Sequence, residues 1–111
     1  MGFKSLQDEV HHYASARDPP YMSPLGLMAT IAEEAGELAR VTNHLYGDKP
    51  KKQTEARQEM GQEMVDVIHR VLCYANRENI DLDKEWTTMV KEKLQGRDKD
   101  RYNKLEKNVV K

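Results

Sequence analysis

The chain has 111 residues, 38% of them apolar and 33% charged, with a mean hydropathy of -0.89. That length suits a single domain over residues 1–111 with a polar tail from about Arg97, and the composition suits a small core beneath a heavily solvated surface. No stretch approaches the roughly 18 apolar residues of a bilayer-crossing helix, and 18 Lys and Arg against 19 Asp and Glu leave a net charge of -1, too little field to draw in a nucleic-acid polymer or an acidic membrane.

The opening Met1 to Leu6 lacks the apolar run of a signal peptide, and Leu6 stands where a myristoylation signal needs Ser or Thr, so an unprocessed, unlipidated cytoplasmic chain is expected. A first helix is expected over about Ser5 to Arg17, ended by Asp18-Pro19-Pro20, because proline removes a donor and restricts the residue before it. Ser23-Pro24 then offers an N-cap followed by proline at the first helical position, so a second helix starts near Pro24 and runs to Gly47, a C-terminal cap. The polar run Asp48-Lys49-Pro50-Lys51-Lys52 reads as a loop, and Gln53 or Thr54 opens a third helix spanning about Glu55 to Asn79. Either Asp81 or Asp83 can cap a last helix to about Gln95, with Gly96 as its stop.

No segment alternates apolar and polar residues in the manner of a strand, so the fold class is all-α. The short connection between the two long central helices makes them antiparallel neighbours in a four-helix-type bundle. The single cysteine, Cys73, lies in the apolar run Val71 to Ala75 with no basic neighbour close enough to lower its pKa, so it reads as a buried, inert thiol in a reducing compartment.

Charge enters the core pattern of both central helices. In the second, Leu27, Ile31, Glu34, Leu38, Val41 and Leu45 step by four and three along one stripe, and Glu34 interrupts an otherwise apolar face. Glu37 falls one turn further on nearly the same face, whereas Glu33 is about 100° away around the helix. The third helix repeats the theme: Met60, Met64, Val67, Ile68, Val71, Leu72 and Ala75 outline its apolar face, and Glu63 and Asp66 border it. Four carboxylates converging between antiparallel helices would repel one another and rise in pKa unless a cation joined them. Hard oxygen ligands without cysteine select Mg²⁺ or Mn²⁺.

Glu9 and His12, and Asp66 and His69, each place a carboxylate three residues before a histidine, as ferritin-like di-iron sites do with glutamate, but the first lies on a short helix and the second replaces Glu by Asp. Gly26, Gly36 and Gly61 are isolated, which excludes a phosphate-cradling glycine loop.

Glu33-Glu34-Ala35-Gly36-Glu37 followed by Glu63-Met64-Val65-Asp66 resembles the EExxE and ExxD signature of the MazG-like, all-α nucleoside triphosphate pyrophosphohydrolases. Ser23-Pro24-Leu25, Asn43 to Gly47, Lys49 to Lys52 and Arg97 to Arg101 resemble the small single-domain, YpjD-like branch in particular. The resemblance implies Mg²⁺-dependent cleavage of nucleotides between the α and β phosphates, with Glu34, Glu37, Glu63 and Asp66 as ligands and Glu33 orienting or deprotonating the attacking water. It also implies phosphate contacts from basic residues after the last helix. Candidates are Lys91, Lys93, Arg97, Lys99 and Arg101, with Lys93, Arg97 and Arg101 preferred for their spacing of four. Trp86, Asn43 and His44 are candidate base or ribose contacts, each also explicable as packing. Val65 stands where the family often has Gly, a change of packing rather than of ligation. Family members commonly form dimers or tetramers through these helices, and open apolar stripes lead to the same expectation here. A non-catalytic nucleotide- or partner-binding helical module is the alternative.

Overall fold

A computed structural model describes residues 2–48, 53–97 and 99–100. It contains α1 (Phe3–Ala14), α2 (Pro24–Tyr46), α3 (Gln53–Arg77) and α4 (Leu82–Met89), followed by a π-helical segment, Val90–Arg97. Among the described residues there is no strand, and no helix is long and apolar enough to cross a membrane. The chain resolves into two compact units, one up to Ile80 holding α1 to α3 and one from Asp81 onward holding α4 and the π-helical segment.

The α2 start is built as its sequence predicts. Ser23 accepts a hydrogen bond from the Gly26 amide at 3.1 Å, and Pro24 occupies the first turn, where a missing N–H costs nothing. At the other end the Gly47 amide donates to the Asn43 carbonyl at 2.7 Å. Gly47 is needed there for room, since a Cβ would run into the Asn43 side chain and carbonyl. Two residues beyond the end of α3, Asn79 takes the left-handed region at φ 56°, with the Ile80 amide reaching back to the Ala75 carbonyl at 2.8 Å. Asparagine tolerates this conformation better than most residues, so it closes the helix in glycine's usual place.

α2 and α3 form the main packed pair, and their contacts fix the direction. Arg57, early in α3, donates to the hydroxyl of Tyr46 at the end of α2, while Arg77, the last residue of α3, donates to the Met22 carbonyl just before α2. The helices are therefore antiparallel, as expected. Leu27 and Val41 are each 1% exposed and anchor α2, with Ile31, Leu38 and Leu45 half-buried between and beyond them. Among the described side chains of α3, Leu72, Cys73 and Ala75 are buried, on the half of the helix against which α1 also packs.

Three expectations need correction. α1 stops at Ala14 rather than Arg17, because the Ser15 hydroxyl bonds back to the His12 carbonyl at 2.9 Å and the chain turns before the prolines. Met64, Ile68 and Val71, placed on the apolar face of α3, are exposed, because α1 and α2 cover only part of that arc. Asp81 caps α4, accepting from the Lys84 amide at 3.2 Å, but the helical backbone does not stop at Gly96. It passes through in π form, where i→i+5 closure lays the Lys91 carbonyl over Gly96, 3.3 Å from where a Cβ would stand.

Candidate active site

α2 carries Glu34 and Glu37 one turn apart, α3 carries Glu63 and Asp66 likewise, and the antiparallel register brings Glu37 to Glu63 and Glu34 towards Asp66. One carboxylate oxygen each from Glu34, Glu37 and Glu63 lies within 4.8 Å of the others. Glu34 and Glu63 are half-buried, and the Oε2 atom of each is shielded from solvent without any hydrogen-bond partner. Burial raises the pKa of Glu34 most, and the charges of Glu37 and Asp66 raise it further against a lowering by Arg70. Glu63 is also raised, first by burial, then by a hydrogen bond with Glu37 and by the charges of Glu37, Asp66 and Glu34.

This donor set fits a hard divalent cation. Ionised carboxylates only accept, so two orphaned buried oxygens call for a positive partner, and oxygen-only ligation suits Mg²⁺ or Mn²⁺. Asp66 is exposed and stands outside the three-oxygen cluster, although both Glu34 and Glu63 feel its charge. Glu33 is exposed on the neighbouring face of α2 and is the weakest influence on Glu34.

The histidine-containing pairs do not join the cluster. His12 stacks edge-on against Tyr13, and His69 Nε2 lies 3.6 Å from Cys73 Sγ, its pKa lowered chiefly by burial. Cys73 is buried and its thiol pKa is pushed up by that burial, as expected. The expectation of no nearby cation is corrected: Arg70 and Arg17 both pull the thiol down, but burial outweighs them.

Asn43 is exposed beside Gly47, and His44 is half-buried with an unpartnered Nδ1. Trp86, Lys91, Lys93, Arg97 and Lys99 are exposed within the second unit, while Arg101 and Lys49 to Lys52 lie outside the described residues. Sequence reasoning missed Arg70, half-buried and close enough to lower the Glu34 pKa. Its signal was its position four residues after Asp66, on the same helical face.

Residues 22–102 match the MazG nucleotide pyrophosphohydrolase domain. The chain belongs to that family. It is 45% identical over 103 residues to the YpjD protein of Bacillus subtilis (strain 168), covering 93% of this chain and 92% of that one. The crystal structure of Bacillus subtilis YpjD superposes with a TM-score of 0.76 at 40% identity, over 84% of this chain and 95% of the other. That of the Bacillus-conserved MazG protein, a nucleotide pyrophosphohydrolase, gives 0.71 at 32% identity, over 96% and 95%. The acidic pairs on α2 and α3 therefore sit within a MazG domain, and the all-α fold read from the sequence is that of its solved relatives.

Proposed function

We propose that this MazG domain is a Mg²⁺-dependent enzyme, with Mn²⁺ an acceptable substitute, that hydrolyses (deoxy)nucleoside triphosphates between the α and β phosphates. The products are a nucleoside monophosphate and pyrophosphate, and the role is removal of non-standard nucleotides. One observation carries the reading: three carboxylates from two facing helices converge with two buried oxygens unpaired, in a chain of a pyrophosphohydrolase family.

In this reading Glu34, Glu37, Glu63 and Asp66 hold the metal, which when bound supplies charge neutralisation for phosphate oxygens and a lowered pKa for water. Glu33, exposed beside Glu34, orients the attacking water and takes its proton on the carboxylate. The half-buried setting of Glu34 and Glu63 limits bulk water around the ligands and strengthens their attraction for a cation. Lys93, Arg97 and Arg101 grip phosphates, and Asn43, His44 and Trp86 are candidate ribose or base contacts.

The family match crosses the boundary between the two units, which supports reading residues 1–111 as one functional domain. Leu25 at 85% exposure and Val65 at 62% favour burial in a homodimer or homotetramer. The lone, buried Cys73 suits a reducing cytoplasm. The alternative is a non-catalytic nucleotide- or partner-binding module, against which the intact acidic residues argue.

Pyrophosphate release from a panel of standard and damaged nucleoside triphosphates, with Mg²⁺ and with chelator, tests the reading in wild type and Glu37→Gln side by side. Metal-dependent release that disappears in the variant is expected. Release that survives chelation, or persists in the variant, would refute the metal site.

A further inference from the structure

A groove of about 620 Å³ opens between α1, the 17–22 segment and α3, a size typical of small-molecule sites. Its walls are mainly aliphatic and aromatic, with Tyr13 and Tyr21 among them, and Glu9, Arg17, His69 and Arg70 supply the polar groups. The side chains of Glu9, Arg17 and Arg70 make no hydrogen bond or ion pair with any described residue. Arg17 and Arg70 both act electrostatically on Cys73 and His69, so their charges reach the groove lining, and Arg70 also acts on Glu34 in the acidic cluster. Arg70 lines the groove and stands about one helical turn beyond Asp66 on α3, so the groove opens beside the acidic pairs.

Resting on the reaction proposed above, we propose that this groove is its base-selecting pocket and that Arg17 and Glu9 select a 6-oxopurine, guanine or hypoxanthine. Flat base faces suit walls that carry tyrosine and aliphatic side chains, and the volume accommodates a purine. Guanidinium groups only donate, and guanine presents the adjacent O6 and N7 acceptors that fit their fork. A carboxylate only accepts, and the same base offers its N1–H, and in guanine its N2 amino group, to Glu9. Adenine and cytosine place an amino donor where guanine has O6, so the guanidinium fork keeps at most one acceptor. Uracil supplies carbonyls but fills less of the groove. Arg70 stands between nucleoside and phosphates, where its charge faces both. Asn43 and His44 are not among the residues that line this groove, and the base selection proposed here does not use them.

Two measurements separate this proposal from the reaction it rests on. In pyrophosphate release, kcat/KM for GTP and ITP should exceed that for ATP and CTP by about tenfold, the discrimination one well-made bidentate contact gives. Arg17→Met should bring the four within about twofold of one another. In calorimetric titration without metal, GMP should bind about tenfold tighter than CMP or AMP, and Arg17→Met and Glu9→Gln should each erode the difference. Both positions are exposed, and circular dichroism verifies that the variants keep their helices. Equal affinity for GMP and CMP, or a preference intact in Arg17→Met, overturns the pocket whatever happens to triphosphates. Preferential GMP binding without pyrophosphate release from any substrate keeps the pocket and removes the hydrolase reading instead.

Discussion

Two polar assemblies lie on the same α3 helix and are opposite in how their groups are satisfied. Near its C-terminal end, the Asn76 amide exchanges hydrogen bonds with Gln7, donating to the Gln7 carbonyl at 2.9 Å and accepting from the Gln7 side chain at 3.0 Å. Asn76 also donates to the Tyr21 hydroxyl at 3.0 Å, which stands 2.8 Å from His11 Nδ1. Donors there meet acceptors from three segments of chain, and α1 is fastened as a result. Between three and four turns earlier, Glu63, together with Glu34 from α2, buries oxygens that nothing in the described protein satisfies. A network that closes on itself builds structure, whereas one left open by a charge needs a visitor.

The sharpest break between the two is functional. Glu37→Gln should lower Mg²⁺-dependent turnover at least about 100-fold while leaving the helical circular dichroism intact, since the loss of one charged contact at a reacting centre is worth about 3 kcal/mol or more. Asn76→Ala should do the reverse. By stranding part-buried groups of Gln7 and Tyr21 it should cost about 1–3 kcal/mol in urea unfolding, with per-molecule activity largely kept where the protein stays folded.

Metal and pH sharpen the contrast further. Mg²⁺ at about 100 times its dissociation constant should stabilise wild type by about 2.7 kcal/mol, and calorimetric melting of Glu37→Gln should lose most of that gain. Without metal, the raised pKa values of Glu34 and Glu63 mean that folding favours their protonated forms. That contribution is complete below the ordinary carboxylate range and is lost as pH rises through the raised values. Wild type should therefore fall behind Glu63→Gln in melting temperature as pH rises from the ordinary carboxylate range through the raised values in chelator, and recover with Mg²⁺. A constant gap across that range would show that the cluster carries no strain of charge. Ser23→Ala is the smallest expected effect, about 1 kcal/mol by urea unfolding for a lost cap, with no change in metal response.

Much of the acidic cluster was legible in the sequence because it is written in local periodicity. Glu34 interrupts an apolar stripe at helical spacing, Glu63 and Asp66 repeat the interval, and Ser23-Pro24 marks where the stripe begins. The fastening around Asn76 was not legible, since Gln7 lies 69 residues away and an asparagine late in a helix carries no sign of its partner. Periodicity also overstated burial. It assigned Met64, Ile68 and Val71 to a face without knowing how much of that face α1 and α2 would cover. The widened turn from Val90 was invisible for a different reason: Gly96 signals close approach or termination equally well, and only the position of the Lys91 carbonyl distinguishes them.

The antiparallel pairing of α2 and α3 also sets which kinds of genetic change this chain tolerates. An extra residue between Glu34 and Glu37 turns one of them about 100° away from its partners. An equivalent insertion between residues 48 and 53 leaves both helical intervals untouched. Along these helices side chains can be exchanged one at a time, but length is frozen, so drift in this lineage should appear as substitutions within α2 and α3 and as insertions or deletions only at their ends.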